Sequence, residues 1–310
     1  MRNEAKIQDW IELSIARDPP RAKSLVMTVF GDAIAPHGGS IWLGELITLM
    51  GHFGISDRLV RTSVFRLTDE GWLEAQRDGR RSSYQLATAT YARFQHAYKR
   101  VYTQQSPVWD KHWTLLIASN SDAGSGNKNQ LKKELSWEGF RQINTGVFAH
   151  PQADRVALQD ILERTGYRDQ LLICRTRDDE QLHGMPLHSL IKSHWQLDEV
   201  NASYQKFIDN FSPLLKLISN QHLQASAAFV IRSLLIHNFR RTQLHDPHLP
   251  AELRPADWAG SKAYQLCRAV YQCCYQQAEQ LLSEALDDSS SNNAISTGPA
   301  ATDLQRRFAD

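Results

Sequence analysis

The 310-residue sequence has only four cysteines, no long apolar run and almost no net charge. The cysteines form no CxxC pair and show no zinc-type spacing with histidine, which indicates a reduced, cytoplasmic protein without a structural metal. No stretch approaches the roughly 18 consecutive apolar residues that a membrane span requires. Residues 1–20 carry scattered charge and no apolar centre, so we expect no secretory signal. These absences argue against a membrane protein and against a secreted disulfide scaffold.

The charge that is present lies unevenly along the chain. Overall, 35 basic residues face 34 acidic ones, a formal net charge of +1. Between residues 21 and 102, however, eleven Lys and Arg face seven Asp and Glu, a local net charge of +4. An apolar content of 42% and a charged content of 22% are typical of a soluble globular protein. Binding to an acidic partner is therefore expected from this one segment rather than from the whole chain.

The pattern along the chain predicts an α+β multidomain protein. A short arm, 1–20, precedes a segment over 21–102 that contains helical patterns and then an alternating, strand-like stretch. Residues 103–195 alternate strand and helix in a βαβαβ order, which is typical of a small ferredoxin-like domain. Three long helical patterns fill 196–287 and predict a helical domain. The Ser- and Asn-rich tail, 288–310, is too polar to bury a core, so we expect it to be disordered.

Residues 56–69 predict a helix with two chemically different sides. Ser56 and Asp57 suit the start of a helix, as a cap and as an acidic first turn. Apolar and small residues gather on one side of the helical wheel: Leu59, Val60, Ser63, Val64 and Leu67. The other side carries Arg58, Arg61, Thr62, Phe65 and Arg66.

A hairpin is predicted directly after this helix. Two short alternating runs flank Asp78-Gly79, which is typical of a tight hairpin turn. The polar residues around its tip are Arg77, Arg80, Arg81 and Ser82. Three helices followed by a ribbon with arginines at its tip is the order of a winged helix-turn-helix. The helix would read a DNA major groove and the ribbon would contact phosphates or the adjacent minor groove.

Two points remain open in this interpretation. The arginines could lie on an ordinary solvated helix face that binds nothing. Phe65 does not suit a fully hydrated face, so it would touch a thymine methyl group, or pack against residues 1–20 or against a second subunit.

Long stretches of the sequence resemble the phenylacetic-acid-responsive repressor family, PaaX. They are GGSIWLGELITLMGHFGISDRLVRTSVFRLTDEGWLEAQRDGRRSSYQL (38–86), TQQSPVWDKHW (103–113) and LLIHNFRRTQLHDPHLPAELRPADWAGSKAYQLC (234–267). The resemblance implies a GntR-like winged helix, a Cas2-like middle domain and a helical C-terminal domain. It further implies a homodimer on a palindromic operator of aromatic-acid catabolic genes, with phenylacetyl-CoA as the inducer. The positions that match the family's recognition helix and wing are Arg58, Arg61, Arg66, Arg80 and Arg81.

The likeness to Cas2 prompts a test for nuclease chemistry, which needs a metal-binding aspartate at the end of the first strand. Here that strand is followed by Ser119 and Asn120, and Asp122 lies beyond them. The twelve histidines show no ligand spacing either. We therefore expect no catalytic residue, no metal ligand, no cofactor and no enzyme activity.

An acyl-CoA effector needs cations for its phosphates, a stacking slot for adenine and a dry pocket for its aryl ring. The densest candidates lie in the helical region and its Pro-rich connector: Trp195, Tyr204, His237, Arg240, Arg241, His245 and Trp258. Each also has an ordinary alternative, such as core packing for the tryptophans and pairing with helix-end carbonyls or acids for the arginines. Two alternatives to a phenylacetyl-CoA sensor are a response to another aryl-CoA and an enzyme acting on a CoA thioester.

Overall fold

A computed structural model describes residues 2–103, 108–118, 125–177, 184–286 and 307–308. The contacts within the chain group it into two compact units. Unit 1 consists of Met1–Gln104, Lys206–Arg240 and Ser261–Asp310, and unit 2 of Gln105–Gln205 and Arg241–Gly260. The helical region predicted after residue 195 thus contributes to both units. Within the described part of the chain, no helix is both long and apolar enough to cross a membrane.

The N-terminal part of unit 1 combines short helices with a small antiparallel sheet. The helices are α1 (Arg2–Arg17), α2 (Ala22–Val29), α3 (Leu43–Gly51), α4 (Asp57–Asp69) and α5 (Tyr91–Tyr102). The strands are β1 (Ser40–Trp42), β2 (Leu73–Asp78) and β3 (Arg81–Leu86), in the sheet order β1-β3-β2. A π-helical turn (Phe30–Ile34) and a 3-10 turn (Ala35–His37) connect α2 to β1.

Unit 2 contains a four-stranded antiparallel sheet. Its elements are β4 (His112–Ala118), α6 (Ser125–Trp137), β5 (Arg141–Asn144), β6 (Val147–His150), α7 (Arg155–Thr165), β7 (Leu171–Arg177) and α8 (Leu187–Trp195). The strand order is β5-β6-β4-β7, and β4 runs antiparallel to both of its neighbours. The βαββαβ sequence with this order is the ferredoxin-like topology, as predicted. The stretch predicted as one strand divides into β5 and β6, because Gly146 adopts a positive φ of 73° between them.

Three long helices follow: α9 (Leu197–Ile218), α10 (Ala225–Gln243) and α11 (Gly260–Leu286). The connector between α10 and α11 belongs to unit 2. There it supplies Leu249 and Leu253 to a cluster around Trp113 and Trp195, on α8 and the sheet. The main core of unit 2 instead lies between the sheet and its helices α6 and α7, for example at Leu135.

Two expectations about the starts of segments are corrected by the structure. The predicted arm is the helix α1, because its apolar side is buried and Trp10 packs with its ring centroid 5.4 Å from that of Phe211. Ser40 follows a glycine-rich turn and suits a helix N-cap by its residue type, but it lies in β1. Helix α3 begins at Leu43, where the Glu45 carboxylate accepts the Trp42 N–H at 3.3 Å.

The tail predicted to be disordered is partly ordered. Arg307 and Phe308 are 6% and 1% exposed, so for these two residues the prediction is wrong. They are buried because an acid and several aromatic rings of unit 1 surround them. The remaining positions of that prediction lie outside the described residues.

Gly139, between α6 and β5, offers a test of this packing. Its φ is +89°, and a Cβ there would lie 2.6 Å from the carbonyl oxygen of Pro247. We expect Gly139→Ala to destabilise the protein by about 1–3 kcal/mol from backbone strain, with a further loss from the overlap. The measurement is the urea unfolding midpoint followed by tryptophan fluorescence. Gly166→Ala is the matched control, since Gly166 has a φ of +73° and no neighbour within 4 Å of that position; equal losses in both variants would contradict the proposed overlap.

Candidate nucleic-acid interface

Helix α4 is anchored in unit 1 by its apolar side. Its buried residues are Val60, Ser63, Val64 and Leu67, and α2 and α3 pack against it. Leu59, predicted to lie on the buried side, is instead 48% exposed, because it sits at the border of that side. The helix therefore has a fixed orientation, and its opposite side faces solvent.

The outward side of α4 carries the residues predicted to contact DNA. Arg58, Arg61, Thr62 and Arg66 are all exposed. Phe65 lies among them with 71% of its surface exposed, so it does not pack against α1. Its contact with a thymine methyl group or with a second subunit stays a prediction.

Within this side, Arg61 is held by an ion pair along the helix. Its Nε lies 2.6 Å from Oδ1 of Asp57, one turn earlier, and both side chains are 56% exposed. Such an exposed i,i+4 pair contributes about 0.3–0.5 kcal/mol, so a phosphate or a base can replace the carboxylate at little cost. The Thr62 hydroxyl donates to the Arg58 carbonyl at 2.8 Å and retains its capacity to accept.

The hairpin follows as predicted, with its turn one residue later. Asp78 pairs with Arg81, so the two loop residues are Gly79 and Arg80. Gly79 has a φ of +56°, and type II′ hairpin turns place a glycine at this first loop position. Arg80 therefore stands at the tip itself, and it is exposed.

The strand register sends the other polar residues of the hairpin to opposite faces. Arg77 is opposite Ser82, on the face that also carries Leu73, whereas Arg81 is opposite Asp78 on the other face. Arg77 and Arg81 are exposed and Ser82 is half-buried. The hairpin thus presents cations on both faces and at its tip, all in the same unit as α4.

The seven predicted effector residues are not gathered in one unit. In unit 2, Tyr204 and Trp258 come together with ring centroids 5.5 Å apart, and the Tyr204 hydroxyl donates to Asp246 at 2.6 Å. Trp195 is fully buried, and its indole N–H donates to the Gly139 carbonyl at 3.0 Å. Trp195 thus has the environment of a core residue.

The remaining four lie along α10 and just after it. His237 and Arg240 belong to unit 1, where His237 lies 3.0 Å from the Thr28 hydroxyl and Arg240 donates to Ser24. Burial lowers the pKa of Arg240. Arg241 and His245 belong to unit 2 and are exposed, with His245 Nδ1 2.6 Å from the Arg241 carbonyl oxygen. Their role as effector contacts stays a prediction.

The described part of the chain contains no group of three or more His, Cys, Asp or Glu side chains suited to hold a metal ion. The positions used for the nuclease test, Ser119, Asn120 and Asp122, lie outside the described residues.

Comparison with known proteins adds the identity of the chain. Three family models match it: PaaX-like protein over residues 21–90, PaaX protein central Cas2-like domain over 106–185, and PaaX-like protein C-terminal domain over 195–284. The chain belongs to the PaaX family. The transcriptional repressor PaaX of Escherichia coli (strain K12) is 36% identical over 282 residues, which covers 90% of this chain and 89% of the relative.

Among solved structures, the uncharacterized protein Rv0674 from Mycobacterium tuberculosis is similar at 20% identity and a TM-score of 0.49. The likeness covers 77% of this chain and 90% of that one. The close relative, in contrast, establishes that this PaaX-family chain is a transcriptional repressor and not an enzyme. The alternative of an enzyme acting on a CoA thioester is thereby set aside.

Sequence reasoning gave Asp57 only the role of starting α4, although the i,i+4 spacing to Arg61 was a signal for their pair. We expect Asp57→Asn to raise affinity for duplex DNA about two- to fivefold at low salt, because one negative charge and one exposed ion pair are removed. Fluorescence anisotropy with a labelled duplex measures this. Glu163→Gln, which removes the same charge from an exposed pair with Arg168 in unit 2, is the control. Weaker binding by Asp57→Asn alone would mean that Asp57 positions Arg61 for DNA.

Proposed function

We propose that residues 21–86 form a winged helix-turn-helix that binds duplex DNA. The support is the order α2, β1, α3, α4, β2 and β3, with the sheet order β1-β3-β2. In this assignment α3 and α4 are the helix-turn-helix, α4 is the recognition helix, and the β2–β3 hairpin is the wing. The repressor function of the family requires such a DNA-binding element somewhere in the chain.

The observation that carries this proposal is the solvent-facing side of α4. An α-helix with its side chains is about 10–12 Å wide and enters a major groove about 12 Å wide. Recognition helices use their N-terminal residues for base contacts, which assigns that role to Arg58, Arg61 and Thr62. Arg66, at the other end of α4, would contact the DNA backbone.

The wing would supply affinity more than sequence choice. Arg80 at the tip, with Arg77 and Arg81 on the two faces of the hairpin, can contact phosphates of one strand or enter the adjacent minor groove. Ser82, beside Arg77 in the register, would add a hydrogen bond to a phosphate. Phe65, exposed among the cations of α4, would touch a thymine methyl group.

We further propose that the protein acts as a cytoplasmic homodimer on a palindromic operator. Two-fold symmetric helix-turn-helix proteins bind half-sites about one helical turn, roughly 34 Å, apart or at multiples of that spacing. The support is the family assignment and the length of α4, because one recognition helix alone reads only a few base pairs.

The regulated genes proposed are those of phenylacetate degradation, and the proposed effector is phenylacetyl-CoA. This rests on the family to which the chain belongs. An effector releases DNA only if it binds the DNA-incompetent arrangement more tightly than the competent one. Another aryl-CoA is the alternative effector, and a panel of CoA esters distinguishes the two.

The division of labour between helix and wing can be tested by comparing Arg61→Ala with Arg80→Ala. We expect Arg80→Ala to weaken binding to all duplexes alike and to reduce the slope of log K against log salt by about 0.9 per lost phosphate contact. We expect Arg61→Ala to relax sequence choice, with a loss of about 1–3 kcal/mol confined to the operator. Anisotropy titrations at several salt concentrations on operator and scrambled duplexes measure both. Identical behaviour of the two variants would contradict the assignment.

Effector release can be tested by an electrophoretic mobility shift. Protein bound to the DNA upstream of its own and neighbouring genes should dissociate when phenylacetyl-CoA is added at micromolar to millimolar concentrations, since a useful effector must shift the equilibrium by several kcal/mol. Acetyl-CoA and free phenylacetate are the controls, because each lacks one half of the proposed effector. A shifted band that persists at millimolar phenylacetyl-CoA would refute this effector.

A further inference from the structure

A buried carboxylate lies at the centre of unit 1. Asp32, 1% exposed, is in the π-helical turn that follows α2. Its two oxygens accept hydrogen bonds from Arg232 (2.7 Å), Arg307 (3.0 Å), Tyr102 (2.6 Å) and Tyr271 (3.2 Å). Burial raises the pKa of both tyrosines, so their hydroxyls remain protonated and can donate.

Arg307 is bound by this cluster from several sides. Its guanidinium also donates to the Tyr271 hydroxyl at 2.6 Å and to the backbone carbonyl of Asp32 at 2.8 Å. Its Nε donates to the Tyr98 hydroxyl at 2.7 Å, and the group lies 4.5 Å from the ring centroid of Tyr102. A buried cation with this set of partners is held by charge, by hydrogen bonds and by cation–π contact together.

Beside Arg307, the ring of Phe308 lies in an aromatic slot formed by the rings of Tyr102, Tyr264 and Tyr271. Its ring centroid lies 5.3 Å from that of Tyr102, 5.4 Å from Tyr264 and 5.2 Å from Tyr271, and its own backbone N–H donates to the Tyr102 carbonyl at 3.0 Å. The residue is 1% exposed and has a φ of +56°, a strained conformation for a side chain of this size. The slot therefore holds Phe308 against its backbone preference.

The walls of this pocket come from helices elsewhere in unit 1. Tyr102 lies at the end of α5, Tyr264 and Tyr271 on α11, Arg232 on α10, and Asp32 after α2. Arg307 and Phe308 belong to none of these elements and are separated from the end of α11 by residues 287–306. If the two residues leave, three tyrosine rings, a carboxylate and a guanidinium remain as a site. Asp32 also keeps Arg232 as a partner, so no buried acid is left unpaired.

We propose that Arg307 and Phe308 are a built-in ligand of this pocket, and that the slot of the Phe308 ring receives the aryl group of the effector. This rests on the proposed function, because the effector is named there. The chemical match is specific: the side chain of phenylalanine is a benzyl group, and a phenylacetyl thioester carries the same benzyl group on its carbonyl carbon. The departure of Arg307 leaves the Tyr271 hydroxyl oxygen free to accept one hydrogen bond, while its proton stays on Asp32.

The position of the pocket connects it to the recognition helix. Asp32 lies in the turn directly after α2, and α2 packs against α4. An occupant that bonds to Asp32 differently from Arg307 therefore acts on an element in contact with α4, within one unit. A merely structural latch would share these contacts but would not exchange with a ligand, and this difference can be measured.

The test compares the full-length protein with its Phe308→Ala variant by isothermal titration calorimetry. Two probes carry a benzyl group, phenylacetyl-CoA and N-acetylphenylalanine amide, and acetyl-CoA is the control without a ring. We expect both benzyl probes to bind Phe308→Ala at least about tenfold more tightly than the unchanged protein, because the competing ring is gone. Acetyl-CoA should not distinguish the two proteins. A peptide of residues 301–310, ATDLQRRFAD, should compete with the benzyl probes for the variant.

Three other results have definite meanings. Equal affinities of both proteins for both benzyl probes would overturn the inference and leave the proposed function intact. Tighter binding of N-acetylphenylalanine amide by the variant, with no binding of phenylacetyl-CoA by either protein, would support the pocket and refute the effector named above. Loss of thermal stability in Phe308→Ala with no gain in affinity would identify a structural latch and also overturn the inference.

Folding of the variant is controlled in two ways. Circular dichroism and thermal melting compare Phe308→Ala with the unchanged protein before titration. Phe308→Leu retains apolar volume but not the ring, so it should fold where Phe308→Ala does not. A leucine packs less well among the tyrosine edges than a phenyl ring, so this variant should also bind the benzyl probes more tightly than the unchanged protein; affinity equal to that of the unchanged protein would count against the inference.

Discussion

The carboxylate of Asp32 is the interaction on which the arrangement of unit 1 depends. It connects the turn after α2 to α5, α10 and α11 through one set of hydrogen bonds and ion pairs. A buried charge that loses its partner costs several kcal/mol, so Asp32 stabilises the packing of these elements against one another. Arg232 also pairs with Glu279 and so extends the network. Burial by itself would raise the pKa of Glu279, but the interactions with His37 and Arg232 outweigh it and lower that pKa to about 2. Glu279 therefore stays ionised at neutral pH.

Helix α4 and the hairpin after it could be predicted from the sequence because the residue patterns that specify them are local. The helical period of residues 58–69, the acidic start at Asp57 and the glycine of the turn each act over a few residues, and they determine α4 and the hairpin without reference to the rest of the chain. The turn was displaced by one residue because an Asp-Gly pair suits both the loop and the position before it. Leu59 was wrongly predicted to be buried because a helical wheel defines the centre of a buried side better than its borders.

The aromatic pocket could not be predicted in the same way. Asp32 meets Arg232 across 200 positions and Arg307 across 275, and no local pattern specifies such pairs. One clue was present: Arg232 interrupts the apolar run FVIRSLLI in α10, and a cation within a buried run requires an acidic partner. Nothing in the sequence identified which acid. The same limit applies to the effector residues chosen by their density along the chain, since the structure divides them between two units.

The proposed recognition helix α4 and the pocket that holds Arg307 and Phe308 belong to one unit, which has a consequence for the proposed regulation. A group attached to its own receptor competes at a high effective concentration, so free effector binds only above a threshold that the attached group sets. The strained φ of Phe308 weakens the binding of Arg307 and Phe308 to the pocket, and so lowers the concentration at which a free ligand can replace them. The two interactions that hold Arg307, with Asp32 and with the tyrosines, act in the opposite direction. In the proposed mechanism, the balance between strain at Phe308 and charge at Arg307 sets how much effector would be needed, separately from the proposed binding of α4 to DNA.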